Sequence, residues 1–176
     1  MRQYGILFVS IVAALGTSCT DPARDQAIAR LGGEEPGVPE GPLHRAGQPC
    51  LLCHSEGGPA SSKPFAVAGT VYETSAPNSG PAAGVEVRFI DSSKGQPFGR
   101  IVTNEVGNFW VPEIDWPTLT YPFKVGIVRG DKNKTMATLV NREGSCNFCH
   151  DPFAAEPRSS IGGVYLVTAA AGGGTP

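Results

Sequence analysis

The five-residue pattern Cys-x-x-Cys-His occurs twice in this chain, at residues 50–54 and 146–150. The chain has only five cysteines and three histidines in 176 residues, and the two copies use most of them. On a helical turn, two cysteines at this spacing lie on the same face, and the histidine follows directly. The fold must therefore present two similar local sites, each built from two thiols and one imidazole.

This spacing is the attachment signature of c-type haem. In that chemistry the two thiols form thioether bonds to the porphyrin, and the adjacent histidine supplies the axial imidazole that haem iron needs. We therefore predict two covalently bound haem c groups. The predicted cofactor-binding residues are Cys50, Cys53, His54, Cys146, Cys149 and His150.

Two other uses of the cysteines stay open. A zinc site with four thiolates also tolerates a long gap between its two pairs, although it does not require a histidine after each pair. A dithiol redox couple usually belongs to a thioredoxin-like βαβ pattern, which this sequence lacks.

The residues left to act as sixth ligands of the irons are His44 and Met136. His44 lies ten residues before His54 on a loop rich in glycine and proline, where an exposed loop histidine is the alternative reading. Met136 lies in a predicted strand, where packing in the core is the alternative. An iron without a sixth protein ligand would be open to water or a small molecule.

The N-terminus has the pattern of a secretion signal over residues 1–18. Arg2 supplies positive charge, residues 4–15 are mostly apolar, and residues 16–18 are small. The position of Cys19 resembles that of the lipidated cysteine of bacterial lipoproteins, and lipidation would also account for the odd cysteine. An ordinary signal peptide that is cut nearby is the alternative.

The lipoprotein resemblance implies a location as well. Covalent haem attachment takes place outside the cytoplasm, which agrees with an export signal. Thr20, rather than an aspartate, follows Cys19, and by resemblance to lipoprotein sorting this implies anchoring in the outer membrane. We expect a lipid-anchored protein in the periplasm or at the cell surface.

The rest of the chain favours short strands and turns, because glycine and proline are abundant. Residues 19–43 are predicted as the lipidated N-terminus and a flexible tether, with a brief helix at 21–31. Residues 44–64 are predicted as the first haem segment and residues 169–176 as a disordered tail. Residues 65–168 are predicted as a sandwich into which the second haem segment is inserted at 141–162. The predicted strands are residues 66–72, 85–89, 100–103, 109–111, 121–128, 135–140 and 163–168.

This spacing of strands predicts a mainly β protein, a small antiparallel seven-stranded β-sandwich with little helix. Its core is expected to contain Phe109, Trp110, Trp116 and Phe123 rather than to use them as an electron relay. Consecutive antiparallel strands alternate in direction, so the first and seventh should run the same way. Because each haem motif precedes one of these two strands, we expect both motifs at one end of the sandwich.

Part of the sandwich resembles the carboxypeptidase regulatory-like domain, which has a transthyretin-like fold. The matching segments are residues 68–71, 83–87, 107–109 and 121–125, together with Thr103. This resemblance implies an accessory or binding module, and it carries no catalytic residues.

The predicted function is electron transfer by an exported, membrane-anchored dihaem cytochrome c that relays electrons between redox protein partners. The formal net charge of −2 argues against nucleic acid as a partner. Two alternatives remain: a non-enzymatic sandwich that binds carbohydrate or protein and holds zinc, and a haem enzyme that reduces a small molecule.

Overall fold

The computed structural model describes residues 21–76, 78–90, 100–154 and 160–168. The predicted signal peptide, Cys19 and the tail at 169–176 lie outside these residues. Within them, no helix is both long enough and apolar enough to cross a membrane.

The described residues form seven strands in two open sheets and two short helices, which confirms the prediction of a mainly β fold. The helices are α1 (Pro22–Arg30) and α2 (Cys146–Cys149), and the 3-10 turns are Cys50–Leu52 and Glu113–Asp115. The strands are β1 (Phe65–Thr74), β2 (Glu86–Ile90), β3 (Ile101–Val102), β4 (Asn108–Pro112), β5 (Lys124–Arg129), β6 (Lys132–Thr135) and β7 (Val164–Val167).

The strand order is β4-β1-β7 in one sheet and β3-β2-β5-β6 in the other. The residues of β2 alternate between buried and exposed, so Val87 and Phe89 enter the core. Trp116 and Phe123 pack around Phe89 with ring centroids 5.7 and 6.0 Å from its own. The core is therefore an aromatic and valine-rich layer between the two sheets.

One pair of strands departs from the predicted antiparallel arrangement. β7 runs parallel to β1, with Val71 paired to Val164 and Thr74 paired to Val167. This pairing agrees with the expectation that the first and seventh strands run in the same direction.

The sixth strand was predicted too late in the sequence. β6 occupies Lys132–Thr135 instead of residues 135–140, and it pairs with β5 from Arg129↔Lys132 onward. The reason is a two-residue turn at Gly130 and Asp131. Gly130 has φ +62°, a conformation that glycine adopts at no steric cost and that tight hairpins need.

Trp110 is the one aromatic residue placed wrongly in the core. It is half-buried, and its ring stacks against Phe65 at a centroid distance of 6.0 Å. Its neighbours Phe109 and Val111 are buried in the core. Because successive side chains of a strand point to opposite faces, Trp110 lies on the outer face of β4.

Candidate functional site: two Cys-x-x-Cys-His turns on strand β1

Both motifs form a single helical turn with the same backbone hydrogen bond. The His54 N–H donates to the Cys50 carbonyl at 2.9 Å, and the His150 N–H donates to the Cys146 carbonyl at 2.9 Å. This bond spans four residues, as in an α-helix, so the two cysteines of each motif lie on one face of the turn. The two copies therefore share one local geometry despite their different surroundings.

The two motif histidines also share a side-chain hydrogen bond. His54 Nδ1 lies 2.8 Å from the Lys63 carbonyl oxygen, and His150 Nδ1 lies 3.0 Å from the Gly162 carbonyl oxygen. A carbonyl oxygen can only accept, so each Nδ1 carries the proton. The lone pair is then on Nε2 in both rings, and the second-sphere bond to a carbonyl is the one that metal-bound histidines usually make.

The two imidazoles are both shielded from solvent, His54 more than His150. His54 is 9% exposed, and its ring stacks on Phe65 with centroids 4.1 Å apart and an interplanar angle of 9°. Burial lowers the pKa of His150, although its hydrogen bond to Gly162 opposes this effect. His150 is therefore neutral at pH 7, which is the form of imidazole that binds a metal.

The residues just before the second motif pair with one edge of β1. The Ala68 N–H donates to the Gly144 carbonyl at 3.0 Å, and Ala68 forms a parallel bridge with Ser145. From Val71 onward, β7 pairs with β1 in the same parallel direction. The motif thus begins where the chain leaves this edge after Ser145, and the chain pairs with the same edge again as β7.

The two motifs lie next to each other on β1. A Cβ atom placed on Gly144 would lie 3.2 Å from Leu51 Cδ2, in the middle of the first motif. Burial, and then the neighbouring Cys50 thiol, raise the pKa of Cys146 to about 12. These contacts agree with the prediction that both motifs lie at the same end of the sandwich, and the parallel pairing of β1 and β7 is the physical reason.

The chemistry of the thiols disfavours a dithiol redox couple. All four motif cysteines are free thiols. Burial raises the pKa of Cys50 to about 11, and it also raises the pKa of Cys53. A redox-active Cys-x-x-Cys pair instead needs a lowered thiol pKa, because the thiolate is the nucleophile.

Within the part of the chain that the structure describes, no group of three or more His, Cys, Asp or Glu side chains is arranged to hold a metal ion.

A large apolar cavity adjoins the second motif. Its volume is about 780 Å³, within the usual range for sites that bind small molecules and cofactors. His150 and Met136 both line it, together with Phe148 and Ile161. These last two side chains are 59% and 65% exposed, so apolar surface stands open to solvent beside the motif.

Met136 was predicted either as an iron ligand or as a residue of the core, and the structure shows where its side chain lies. Its backbone N–H donates to the Val125 carbonyl at 2.9 Å, just beyond the end of β6. Its side chain is half-buried and lines the cavity instead of joining the buried core cluster. The alternative of core packing is therefore not what the structure shows.

His44 lies close to the first motif. Its ring centroid is 6.0 Å from that of His54, and the two planes meet at 69°. His44 Nδ1 lies 3.6 Å from Glu34 Oε1, which in turn accepts a hydrogen bond from Arg45 Nε at 2.7 Å. The segment predicted as a tether thus places the Glu34 carboxylate beside His44. The flexibility of this segment stays a prediction.

Sequence reasoning missed several residues that shape the two sites. The acceptors for the histidines are backbone carbonyls of Lys63 and Gly162, which any residue can supply. Glu34 and Asn108 contact His44 although they lie 10 and 64 residues away from it in the sequence. No motif spacing could have indicated them.

No protein-family model matches the chain, and neither a curated protein nor a solved structure matches it.

Proposed function

We propose that this protein is a dihaem c-type cytochrome that transfers electrons between redox protein partners. The observation that carries the proposal is the repeated histidine geometry. In both motifs a backbone carbonyl, nine residues downstream in one case and twelve in the other, holds Nδ1 and leaves Nε2 for a metal. A Cys-x-x-Cys-His turn with its histidine oriented in this way is what haem c attachment requires.

The residues present fit two covalent haem groups. Cys50, Cys53, Cys146 and Cys149 are all free for thioether bonds. The apolar cavity beside His150 suits the hydrophobic faces of a porphyrin. When bound, haem supplies one-electron chemistry, and the protein contributes ligands, burial and position.

The proposal also assigns protein ligands to the two irons. His54 and His150 would be the fifth ligands, His44 the sixth ligand at the first site and Met136 the sixth ligand at the second. A His/Met pair raises the reduction potential of a haem. We therefore expect the second haem to have the higher potential, so that electrons pass from the first site to the second.

The adjacency of the motifs supports a relay role. Leu51 of the first motif approaches Gly144, two residues before the second motif, and the Cys50 thiol influences the Cys146 thiol. Two haem groups attached to neighbouring turns would lie close enough for rapid exchange of electrons. A sandwich that resembles an accessory domain would then serve as the rigid support.

The deciding experiment counts haem groups by mass. The protein is produced in a host that carries out covalent haem attachment, and its denatured form is analysed by intact mass and haem absorbance. We expect two haem groups in the native sequence. The double variant Cys50→Ala/Cys53→Ala should lose one, and Cys146→Ala/Cys149→Ala should lose the other.

The result that would contradict the proposal is a protein without covalent haem. A mass equal to the bare polypeptide, with a metal that a chelator removes, would replace the haem proposal by the zinc alternative. If two haem groups are present, a redox titration should show two one-electron steps with separate midpoint potentials.

The location is proposed from the N-terminal sequence, which lies outside the described residues. We propose an outer-membrane lipid anchor at Cys19, with the domain in the periplasm or at the cell surface. Cys19→Ser should move the protein from the membrane fraction to the soluble fraction without changing its haem content. A native protein that is already soluble would contradict the anchor and leave the haem proposal unaffected.

A further inference from the structure

The loop that carries His44, residues 42–48, is fixed to the sandwich by a buried polar network. Gly47 N–H donates to Thr70 Oγ1 at 2.8 Å, and Thr70 Oγ1 donates to Asn108 Oδ1 at 2.7 Å. Asn108 Nδ2 then donates to the His44 carbonyl at 3.0 Å. Thr70 on β1 and Asn108 on β4 are both buried, so this network is shielded from competing water.

The loop also packs too closely against Tyr72 to move easily. Gly47 has φ +83°, and a Cβ atom there would lie 2.4 Å from Tyr72 Oη. Only glycine fits at this approach. The backbone of His44 is therefore held on the outer side of β1 by hydrogen bonds and by close packing.

The side chain of His44 faces a carboxylate. Its Nδ1 atom lies 3.6 Å from Glu34 Oε1, which is slightly too long for a hydrogen bond. His44 Nδ1 and Glu34 Oε2 are both buried and lack hydrogen-bond partners. Buried polar atoms seldom stay unpaired, so a small rotation that lets Nδ1–H donate to the Glu34 carboxylate would give this nitrogen a partner.

The ring of His44 lies near that of His54. Two imidazoles that bind one metal ion, each at a metal–nitrogen distance of about 2 Å, would have ring centroids no more than about 6 Å apart. The observed separation of the His44 and His54 centroids is 6.0 Å. With Nδ1 of His54 engaged by Lys63 and Nδ1 of His44 beside Glu34, both rings have Nε2 available.

We propose that Glu34 is a positioning residue that orients His44 as the sixth ligand of the first haem iron, while Thr70 and Asn108 hold the backbone that carries it. This inference rests on the proposed function. A carboxylate that accepts the Nδ1–H bond raises the basicity of the imidazole and fixes its orientation. It therefore strengthens the His44 bond to ferric iron and lowers the midpoint potential of the first haem.

The test compares Glu34→Gln with Glu35→Gln in the dihaem protein. The two glutamates are neighbours, but Glu35 is exposed, so Glu35→Gln changes the same charge without changing the contact with His44. Cyanide is the probe, because it competes with His44 for ferric iron. We expect Glu34→Gln to bind cyanide at the first haem about tenfold more tightly, in line with the effect of removing an outer-sphere partner.

Two further readouts distinguish positioning from a general loss of structure. Glu34→Gln should raise the lower of the two midpoint potentials and leave the higher one unchanged. His44→Ala should convert one low-spin haem to a high-spin one. All variants should keep two haem groups by mass.

Clear results would overturn the inference. Equal cyanide affinity and equal potentials in Glu34→Gln and Glu35→Gln would remove the role of Glu34. An unchanged number of low-spin haem groups in His44→Ala would remove His44 as a ligand. Absence of covalent haem from the parent protein would instead refute the proposed function itself.

Discussion

Gly69 tests whether the second motif is seated on β1 as the structure indicates. A Cβ atom added at Gly69 would lie 2.8 Å from Cys146 Cβ and 3.0 Å from Phe109 Cζ. Carbon atoms in favourable contact are about 3.5–4.0 Å apart. Gly69→Ala therefore forces the motif turn or the Phe109 ring to move by several tenths of an ångström.

Neither neighbour moves easily. Phe109 is part of the buried core, and Cys146 follows Ser145, which is bridged to Ala68. Overpacking of this kind costs about 1–3 kcal/mol. The lower entropy of alanine in the unfolded chain offsets about 0.4–1 kcal/mol, because the backbone of Gly69 does not require positive φ. We expect a net loss in the free energy of unfolding of about 0–2.6 kcal/mol.

Gly126→Ala is the matched control. Gly126 also lies in a strand, but its added Cβ would meet nothing closer than Thr135 Oγ1 at 3.4 Å and the Lys134 carbonyl at 3.5 Å. We expect this variant to be as stable as the native protein or about 0.4–1 kcal/mol more stable.

The assay is urea unfolding of both variants, with unchanged m-values as the condition for comparing midpoints. If the protein carries the two haem groups that we propose, Gly69→Ala should also disturb the absorbance of the one on the second motif. If Gly69→Ala and Gly126→Ala prove equally stable, the second motif does not pack on β1 as described.

Two further predictions concern contacts elsewhere in the domain. Thr70→Val keeps the shape of the side chain but leaves the Gly47 N–H and Asn108 Oδ1 without a partner. The free energy of unfolding, measured in urea, should therefore fall by about 2–4 kcal/mol. A loss below about 0.5 kcal/mol would contradict the buried network. The second prediction concerns Glu73, whose hydrogen bond with Arg129 holds its pKa below the ordinary value of 4.5. The pair therefore stabilises the folded state above pH 4.5, and this stabilisation is lost as the pH falls through the pKa of the folded protein. Because both side chains are about one-third exposed, Glu73→Gln should cost less than about 1 kcal/mol at pH 7. The difference from the native protein should shrink below pH 4.5, and a constant difference would exclude this ion pair as its cause.

Local patterns in the sequence predicted much of the fold because they act over a few residues. The alternation in Glu86–Ile90 places Val87 and Phe89 in the core, since side chains of a strand alternate between two faces. The early helix also follows from local signals, because Asp21 Oδ1 accepts hydrogen bonds from the first free backbone N–H groups. The two Cys-x-x-Cys-His turns are local in the same sense, and their cysteines and histidines could be identified from spacing alone.

The tertiary structure decided what depends on contacts between distant residues. The bridge between Ser145 and Ala68 places Cys146 against Gly69, and no local pattern specifies which segments pair with each other. The outward position of Trp110 likewise depends on which face of β4 is covered. The acceptors for His54 and His150 are backbone carbonyls, and because every residue has one, only the folded chain could select them.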